Sequence, residues 1–534
     1  MSSSAKPSIL TSRTYLYTTE FFAGMAVMAV ELGAARLLAP YFSSSQIVWT
    51  IIIGAIMIAM ALGNYWGGRK ADANPNPDLL YRNIIIAALW IAAIPVVGKY
   101  LIPAITGLFI LAVDTNLLVC AAFTSCLILF VFPLFLLGTV TPSLAKYTVR
   151  SLQDSGATVG ALNACNTVGS ILGTFIPTFI TIPALGTAIS FLLFSSILLL
   201  LGLIYFVSEK RRLLFGGVSA LLFLGCTLFG SSDSFAFWEK NLAYEGESMY
   251  NYLQVRDTPE ETVLSTNVMF GVQSIRKKEQ TLTGMYYDYA LLGPVLANAA
   301  GKKDANMLIL GMGAGTFASQ CRQFFPNMHI EGVEIDERIT DLAHRYFALD
   351  PSIPVTTYDG RAYLQAASQK YDIIMVDAYQ DITIPFQMSS QEFFALVRSH
   401  LKDGGVMIVN MNMHSRDAGG IHEYLQDTIA SQFSHVYTID VPNTTNRELL
   451  ATNDPSSLSA LTARIQALPD HTLSQFLQQA APHLSSYRGG SHILTDDKAP
   501  VEVLGMETLD RIMEREIAPY RRQLQQEGLS GLMQ

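Results

Sequence analysis

The sequence predicts two architectures in tandem: a multi-span α-helical membrane domain, then an α/β domain whose Rossmann-like sheet is preceded by a small antiparallel β-domain. Three observations predict this. Uncharged runs long enough to cross a bilayer recur up to about residue 230. Beyond about residue 300, short apolar strand-like runs alternate with helical stretches over about 150 residues, the pattern of a mainly parallel sheet covered on both faces. One of those strands, from Met307, empties into Gly311-Met312-Gly313-Ala314-Gly315-Thr316, and a second ends about 20 residues later at Glu334.

A chain of 534 residues is too long for one compact core. Only 15% of it is charged, and the mean hydropathy is +0.31, high for a soluble protein. The net charge of −9, without a basic stripe, argues against a nucleic-acid partner and is compatible with a cationic substrate. The five cysteines show no paired spacing, and the nine histidines, all after residue 300, show no HExxH or HxH. Neither a disulfide framework nor a metal site is therefore expected.

Taken in order, residues 1–14 form a polar tail and 15–232 the membrane domain. No small-residue cleavage site follows a brief apolar core, so the first span is expected to stay. Spans are expected at 15–39, 46–67, 82–104, 116–140, 158–182, 186–207 and 212–231. Glu20 and Arg36 lie near enough to the ends of the first span to snorkel, which leaves Glu31 as the intramembrane acid to test. Small residues around the fifth span (Gly156, Gly160, Ala161, Gly169, Ser170, Gly173) read as close helix packing. Basic residues mark alternate loops: Arg69, Lys70 and Arg82, then Lys146 and Arg150, then Lys210 to Arg212. By the positive-inside rule, seven spans put the two ends of this domain on opposite sides of an inner-membrane bilayer. A cytoplasmic C-terminal domain instead requires that the last run not cross, or that 82–113 hold an extra piece.

Residues 233–300 are read as the small β-domain and a first helix, 286–299, and residues 301–504 as the nucleoside-binding domain. The small domain has short alternating segments at 250–256, 262–266 and 268–275. Strands of the main sheet are expected at 307–311, 329–335, 354–358, 371–377, 405–411, 434–441 and 447–452. Residues 505–534 read as an amphipathic helix that packs or lies on a membrane surface. The glycines at 311, 313 and 315 allow a tight turn and close approach to a ligand, and Glu334 is placed to accept from ribose hydroxyls. A ligand belongs at the carboxyl ends of these strands.

Within 245–500, Ser248 to Val255 follows the pattern S-x-Y-Q-x-[IL]-x-V, Tyr286-Tyr287-Asp288 follows Y-[HQ]-E, and Gly311 to Thr316 follows G-G-G-D-G-G. Asp359-Gly360 is a further short pair, and Tyr371 to Asp377 an apolar strand ending in an acid. Together these motifs resemble spermidine synthase, a polyamine aminopropyltransferase, in the membrane-fused bacterial form. The resemblance puts Asn251 where the family has a nucleoside-contacting Gln, makes Asp359-Gly360 the pair that holds the adenine amine, and makes the 371–377 strand the one that delivers the catalytic Asp. It makes Gln380 to Gln391 the gate, shaped by Pro385 and Phe386, and Leu494 to Glu502 the family's acid-rich terminal motif, which is assigned no chemistry. The resemblance implies an S-adenosylmethionine-methyltransferase-type sheet and a homodimer through the synthase-like domain. It also implies that the co-substrate is decarboxylated S-adenosylmethionine, with no prosthetic group, and that the partner is a small polyamine.

Aminopropyl transfer is an in-line displacement beside a sulfonium, so the site needs a carboxylate to orient and deprotonate the attacking amine. Asp377 is placed to be that base. Tyr286, Tyr287, Asp288, Tyr379, Gln380, Asp381 and Pro385 are expected around the amine, with Asn251, Gly311, Gly313, Gly315, Glu334, Asp359 and Gly360 around the nucleoside. Two departures stand out: Ala314 replaces the Asp that grips the aminopropyl ammonium, and Gln380 replaces a second substrate-binding Asp. A G-x-G-x-G turn without an acid is what methyltransferases of the same superfold carry. A methyltransferase acting on a membrane-associated substrate therefore stays open, as does a polyamine transporter or sensor with a regulatory nucleoside domain.

Overall fold

The computed structural model describes residues 9–527 except 43–44, 114–115, 150, 152, 154, 232–233, 269–271, 380–383 and 413–418. The chain divides into two compact units, Met1–Trp238 with Glu245–Tyr252, and Glu239–Tyr244 with Leu253–Gln534.

Among its described residues, the first unit contains seven helices long and apolar enough to cross a membrane: Arg13–Phe42, Gln46–Ala73, Pro77–Ile110, Leu117–Thr148, Ser155–Leu185, Thr187–Ser208 and Leu213–Gly230. Their ends follow the local chemistry. Ser45 accepts from the Val48 N–H, and Asn76 accepts from Asp78 with Pro77 at the first helical position. Wide π turns at Leu127–Val131 and Pro177–Thr181 lie beside or at Pro133 and Pro177, whose missing N–H breaks the regular ladder. The stretch Pro77–Ala112 is one continuous helix, so it holds no additional crossing piece.

The first and fifth spans pack where their backbones nearly touch. A Cβ at Gly169 or Gly173 would lie 1.9 Å from the Phe21 carbonyl oxygen or 2.1 Å from that of Met25. Gly156 and Gly160, by contrast, face open space. The same contact overturns the expectation for Glu20. Its side chain does not snorkel but is 0% exposed, accepting from Thr141 Oγ1 at 2.6 Å and Asn166 Nδ2 at 2.8 Å. Glu31 is half-buried. Arg36 donates to the Met249 carbonyl rather than reaching for an interface.

Among the described residues, twelve strands follow the helical spans. The first four, β1 (Leu242–Glu247), β2 (Tyr252–Asp257), β3 (Glu261–Ser265) and β4 (Ser274–Lys277), form a sheet in the order β1-β2-β3-β4. The other eight are β5 (Asn306–Leu310), β6 (His329–Glu334), β7 (Val355–Thr357), β8 (Tyr371–Val376), β9 (Leu401–Met411), β10 (His435–Asp440), β11 (Arg447–Thr452) and β12 (Ser485–Tyr487). They form one sheet in the order β12-β10-β11-β9-β8-β5-β6-β7, parallel from β9 to β7 and antiparallel beyond. From Ile373 to Val376 in β8 and from Met307 to Leu310 in β5 every residue is apolar and buried, as helices covering both faces require. The chain leaves β5 toward β6 on one side and returns to β8 on the other, so the switch point lies between β5 and β8.

Several elements differ from the sequence expectation. The helix expected at 286–299 is two short ones, Tyr286–Ala290 and Leu292–Leu296, because Pro294 cannot donate back to the Ala290 carbonyl. Strands β1 and β12 had no signal to find: β1 lacks an alternating burial pattern and β12 is three residues long. The terminal helix is Val501–Glu527, starting directly after Pro500.

Candidate active site

The glycine turn is shaped by positive φ at Gly311 (89°), Gly313 (54°) and Gly315 (76°), a region that side chains disfavour. Gly311 has a second constraint. A Cβ there would lie 2.5 Å from the Asp377 carbonyl oxygen and 2.8 Å from Ala378 Cα, so the turn after β5 and the turn after β8 touch through backbone alone. Glu334, at the end of β6, binds the turn from the other side, accepting from the Gly313 N–H at 2.9 Å and the Asp336 N–H at 3.1 Å. Burial pushes its carboxyl upward against those two donors. The small sheet buttresses the third side: Ser274 Oγ accepts from the Ala314 N–H at 3.1 Å, and Thr316 Oγ1 donates to the Ile275 carbonyl at 2.9 Å. The helix Thr316–Phe324 then starts with its free N–H groups at the ligand end of the sheet.

Asp377 follows β8 and is half-buried. Tyr286 Oη donates to its Oδ2 at 2.6 Å and Asn410 Nδ2, from β9, to its Oδ1 at 3.0 Å. Asn446 Nδ2 in turn donates to Asn410 Oδ1 at 2.9 Å, which orients the amide. Burial raises the Asp377 carboxyl to about 7; the two donors work against that, and Glu334 adds to it. A carboxyl that gains and loses its proton near neutrality, held in a fixed direction, is suited to general-base work.

The other expected residues separate into distinct roles. Tyr287 lies against Tyr286 with ring centroids 3.9 Å apart, but its hydroxyl donates to the Gln273 carbonyl at 3.1 Å. Asp288, 1% exposed, anchors the preceding turn: it accepts from Thr283 N–H and Oγ1, Gly284 N–H and Gln320 Nε2, the last at 2.7 Å. Tyr379 is buried with its hydroxyl on the Met388 carbonyl at 3.1 Å, and Pro385 opens the short turn Phe386–Met388. Asp359 caps the helix Gly360–Ala366 by accepting from Ala362 N–H at 2.8 Å, while a Cβ on Gly360 would crowd Met388 Cε at 3.3 Å. Asn251 sits in the β1–β2 turn with its N–H on Ser248 Oγ at 2.9 Å. Gln380 and Asp381 lie outside the described residues.

Sequence reasoning missed four groups. Asn410 and Ser274 carry no local motif, because only the sheet pairing brings them to Asp377 and to the glycine turn. Arg361 and Asp496 form a two-bond pair at 2.7 and 2.6 Å, and Arg361 also donates to the Gln387 carbonyl at 2.9 Å. The acid-rich 494–502 motif thereby ties the Asp359 helix to the 386–390 turn. Glu423, Asp427 and His492 also gather within 4.8 Å, but Asp427 is a hydrogen-bond anchor, taking Tyr487 Oη, Gly490 N–H and His492 N–H.

The fold and site fit a nucleoside-dependent transferase: a doubly covered sheet, a glycine turn backed by an acid, and a hydrogen-bonded carboxyl at the switch point. A family model described as "Spermine/spermidine synthase domain" matches residues 294–448. A probable polyamine aminopropyl transferase of Bifidobacterium longum (strain NCC 2705) is 52% identical over 348 residues, covering 62% of this chain and 77% of the relative. A polyamine aminopropyltransferase of Vibrio vulnificus (strain CMCP6) is 29% identical over 276 residues, covering 50% of this chain and 84% of the relative. The chain belongs to the spermine/spermidine synthase family of polyamine aminopropyltransferases, and is a transferase. Among solved structures, a probable spermidine synthase from Corynebacterium glutamicum ATCC 13032 is 18% identical with a TM-score of 0.37, covering 48% of this chain and 99% of that one. A spermidine synthase in complex with the transition state analogue AdoDATO is 16% identical with a TM-score of 0.36, covering 43% and 79%.

Proposed function

We propose that this chain is a membrane-bound aminopropyltransferase that moves an aminopropyl group from decarboxylated S-adenosylmethionine to putrescine or a related amine. The observation that carries the reading is Asp377, a carboxyl raised to about 7 and aimed by Tyr286 and Asn410 at the switch point of the sheet. Glu334 and Asp359 flank the nucleoside, and the 311–315 turn lets backbone approach it.

In the reaction, an amine nitrogen attacks the aminopropyl carbon bonded to the sulfonium. The C–N bond forms as the C–S electron pair returns to sulfur, giving a neutral thioether. The proton leaving the amine passes to the Asp377 carboxylate. Tyr286 steadies that carboxylate while it is charged and Asn410 keeps it in line. The seven long apolar helices support placement in a bilayer.

The test is Asp377→Asn, assayed with decarboxylated nucleoside and putrescine. Turnover should fall about 10²- to 10⁴-fold, with nucleoside affinity nearly unchanged. Retained turnover shows that another group is the base.

A further inference from the structure

Glu448, on β11, is 0% exposed, and neither of its carboxyl oxygens has a hydrogen-bond partner among the described residues. Buried carboxyls without donors are rare because ionising one there is costly. Its place is specific. In the β9–β11 pairing Glu448 stands opposite Asn410, the residue that donates to Asp377. Register partners share one face of a sheet, so Glu448, Asn410 and Asp377 all look toward the same side. That side carries the Tyr286–Ala290 helix, which packs on both β9 and β11. Beside Glu448 stand its register partners Asn410 on β9 and Ile439 on β10, Asp377 acts on its charge from the end of β8, and the Tyr286–Ala290 helix packs over the strand. Its neighbour Arg447 is ion-paired with Asp440. Burial first, and then Asp377, hold the Glu448 carboxyl well above the usual carboxylate range.

Charge balance then decides what this acid is for, granting the aminopropyl-transfer reading above. The two substrates bring a sulfonium and at least two amine nitrogens that are cationic at neutral pH. Glu334 has committed its oxygens to the Gly313 and Asp336 N–H groups, Asp288 is taken by Thr283, Gly284 and Gln320, and Ala314 offers no charge. Asp377 is engaged with the attacking nitrogen. We propose that Glu448 is the second carboxyl of the amine site, taking a cationic nitrogen of the polyamine that Asp377 does not. The carboxyl is 0% exposed, so the amine must displace side chains packed over it to make contact. An ammonium arriving beside Glu448 stabilises its anion, so the amine should drive a proton off the protein as it binds.

The experiment compares the full-length wild type with Glu448→Gln and Glu448→Asp. It measures KM for putrescine, KM for the decarboxylated nucleoside and kcat. Proton release on putrescine binding is read by titration calorimetry in two buffers of different ionisation heat, with methylthioadenosine bound. Glu448→Gln should raise the putrescine KM about tenfold or more, leave kcat and the nucleoside KM within about threefold, and lower the proton release below that of the wild type. Glu448→Asp should keep part of both. A Gln variant with wild-type putrescine KM and proton release overturns the assignment. So does a nucleoside KM that rises in step with the putrescine KM in both variants, since that marks a packing residue. A wild-type chain that transfers nothing to any polyamine overturns the functional reading, and this assignment with it.

Discussion

Asp377→Asn should make the protein more stable while it destroys activity. In the folded chain the carboxyl is raised to about 7 from its ordinary value of 3.8, mainly by burial. A raised acid stabilises the fold fully only below its unfolded value, and that contribution is lost as pH climbs to the folded value. The difference between 3.8 and about 7 corresponds to a ceiling of about 4 kcal/mol against the wild-type fold at and above neutrality. Asparagine avoids that cost. Its oxygen can still accept from Asn410 and its amide can face Tyr286 Oη, at a loss of about 1 kcal/mol for the weaker bonds. The net gain should be about 2–3 kcal/mol at about pH 8, which is a rise of a few degrees in the melting temperature. The assay is thermal unfolding of both proteins in detergent across a pH series. The gain should be constant above about 7 and shrink toward zero as pH falls to 3.8. No stabilisation at high pH, or a stabilisation that ignores pH, would refute the claim that the buried carboxyl is held near neutrality.

Three further outcomes follow from the same geometry. The wild-type pH–rate profile should lose activity about tenfold per pH unit below about 7, and Tyr286→Phe should move that limb upward by about one unit by removing a donor to the anion; an unmoved limb means Asp377 does not set it. Gly311→Ala combines a φ of 89° with a Cβ 2.5 Å from the Asp377 carbonyl, so it should cost at least about 2 kcal/mol in denaturation and lower kcat by displacing the base. Ala314→Asp buries an acid at a position 1% exposed, within the apolar core, so it should destabilise the fold by about 2–4 kcal/mol in the same melting assay rather than improve use of the donor.

The strands and the glycine turn were legible because they are local. An apolar run, a glycine spacing and an acid about 20 residues on are properties of contiguous sequence. Asp377 was legible for the same reason, as the acid that directly follows a buried strand. What supports it was not. Asn410 and Glu448 lie more than 30 residues apart and meet Asp377 only through the β8–β9–β11 pairing, which no spacing announces. Glu20 was misjudged because distance from a helix end says nothing about a neighbouring helix. Thr141 and Asn166 come from elsewhere in the chain to hold it. Asp288 matched a motif yet turned out to be an anchor, because a motif records residue type and not which way a carboxyl faces. Ala314 looked decisive for the reaction type as a sequence departure, but the structure makes it a core residue.

The most direct test of the central claim offers the purified full-length protein S-adenosylmethionine and its decarboxylated form, each with putrescine, and follows products by mass spectrometry. The account predicts methylthioadenosine and an aminopropylated amine, formed from the decarboxylated donor and lost in Asp377→Asn. A methylated product with S-adenosylhomocysteine, formed from the carboxylated donor while methylthioadenosine never appears, would contradict it.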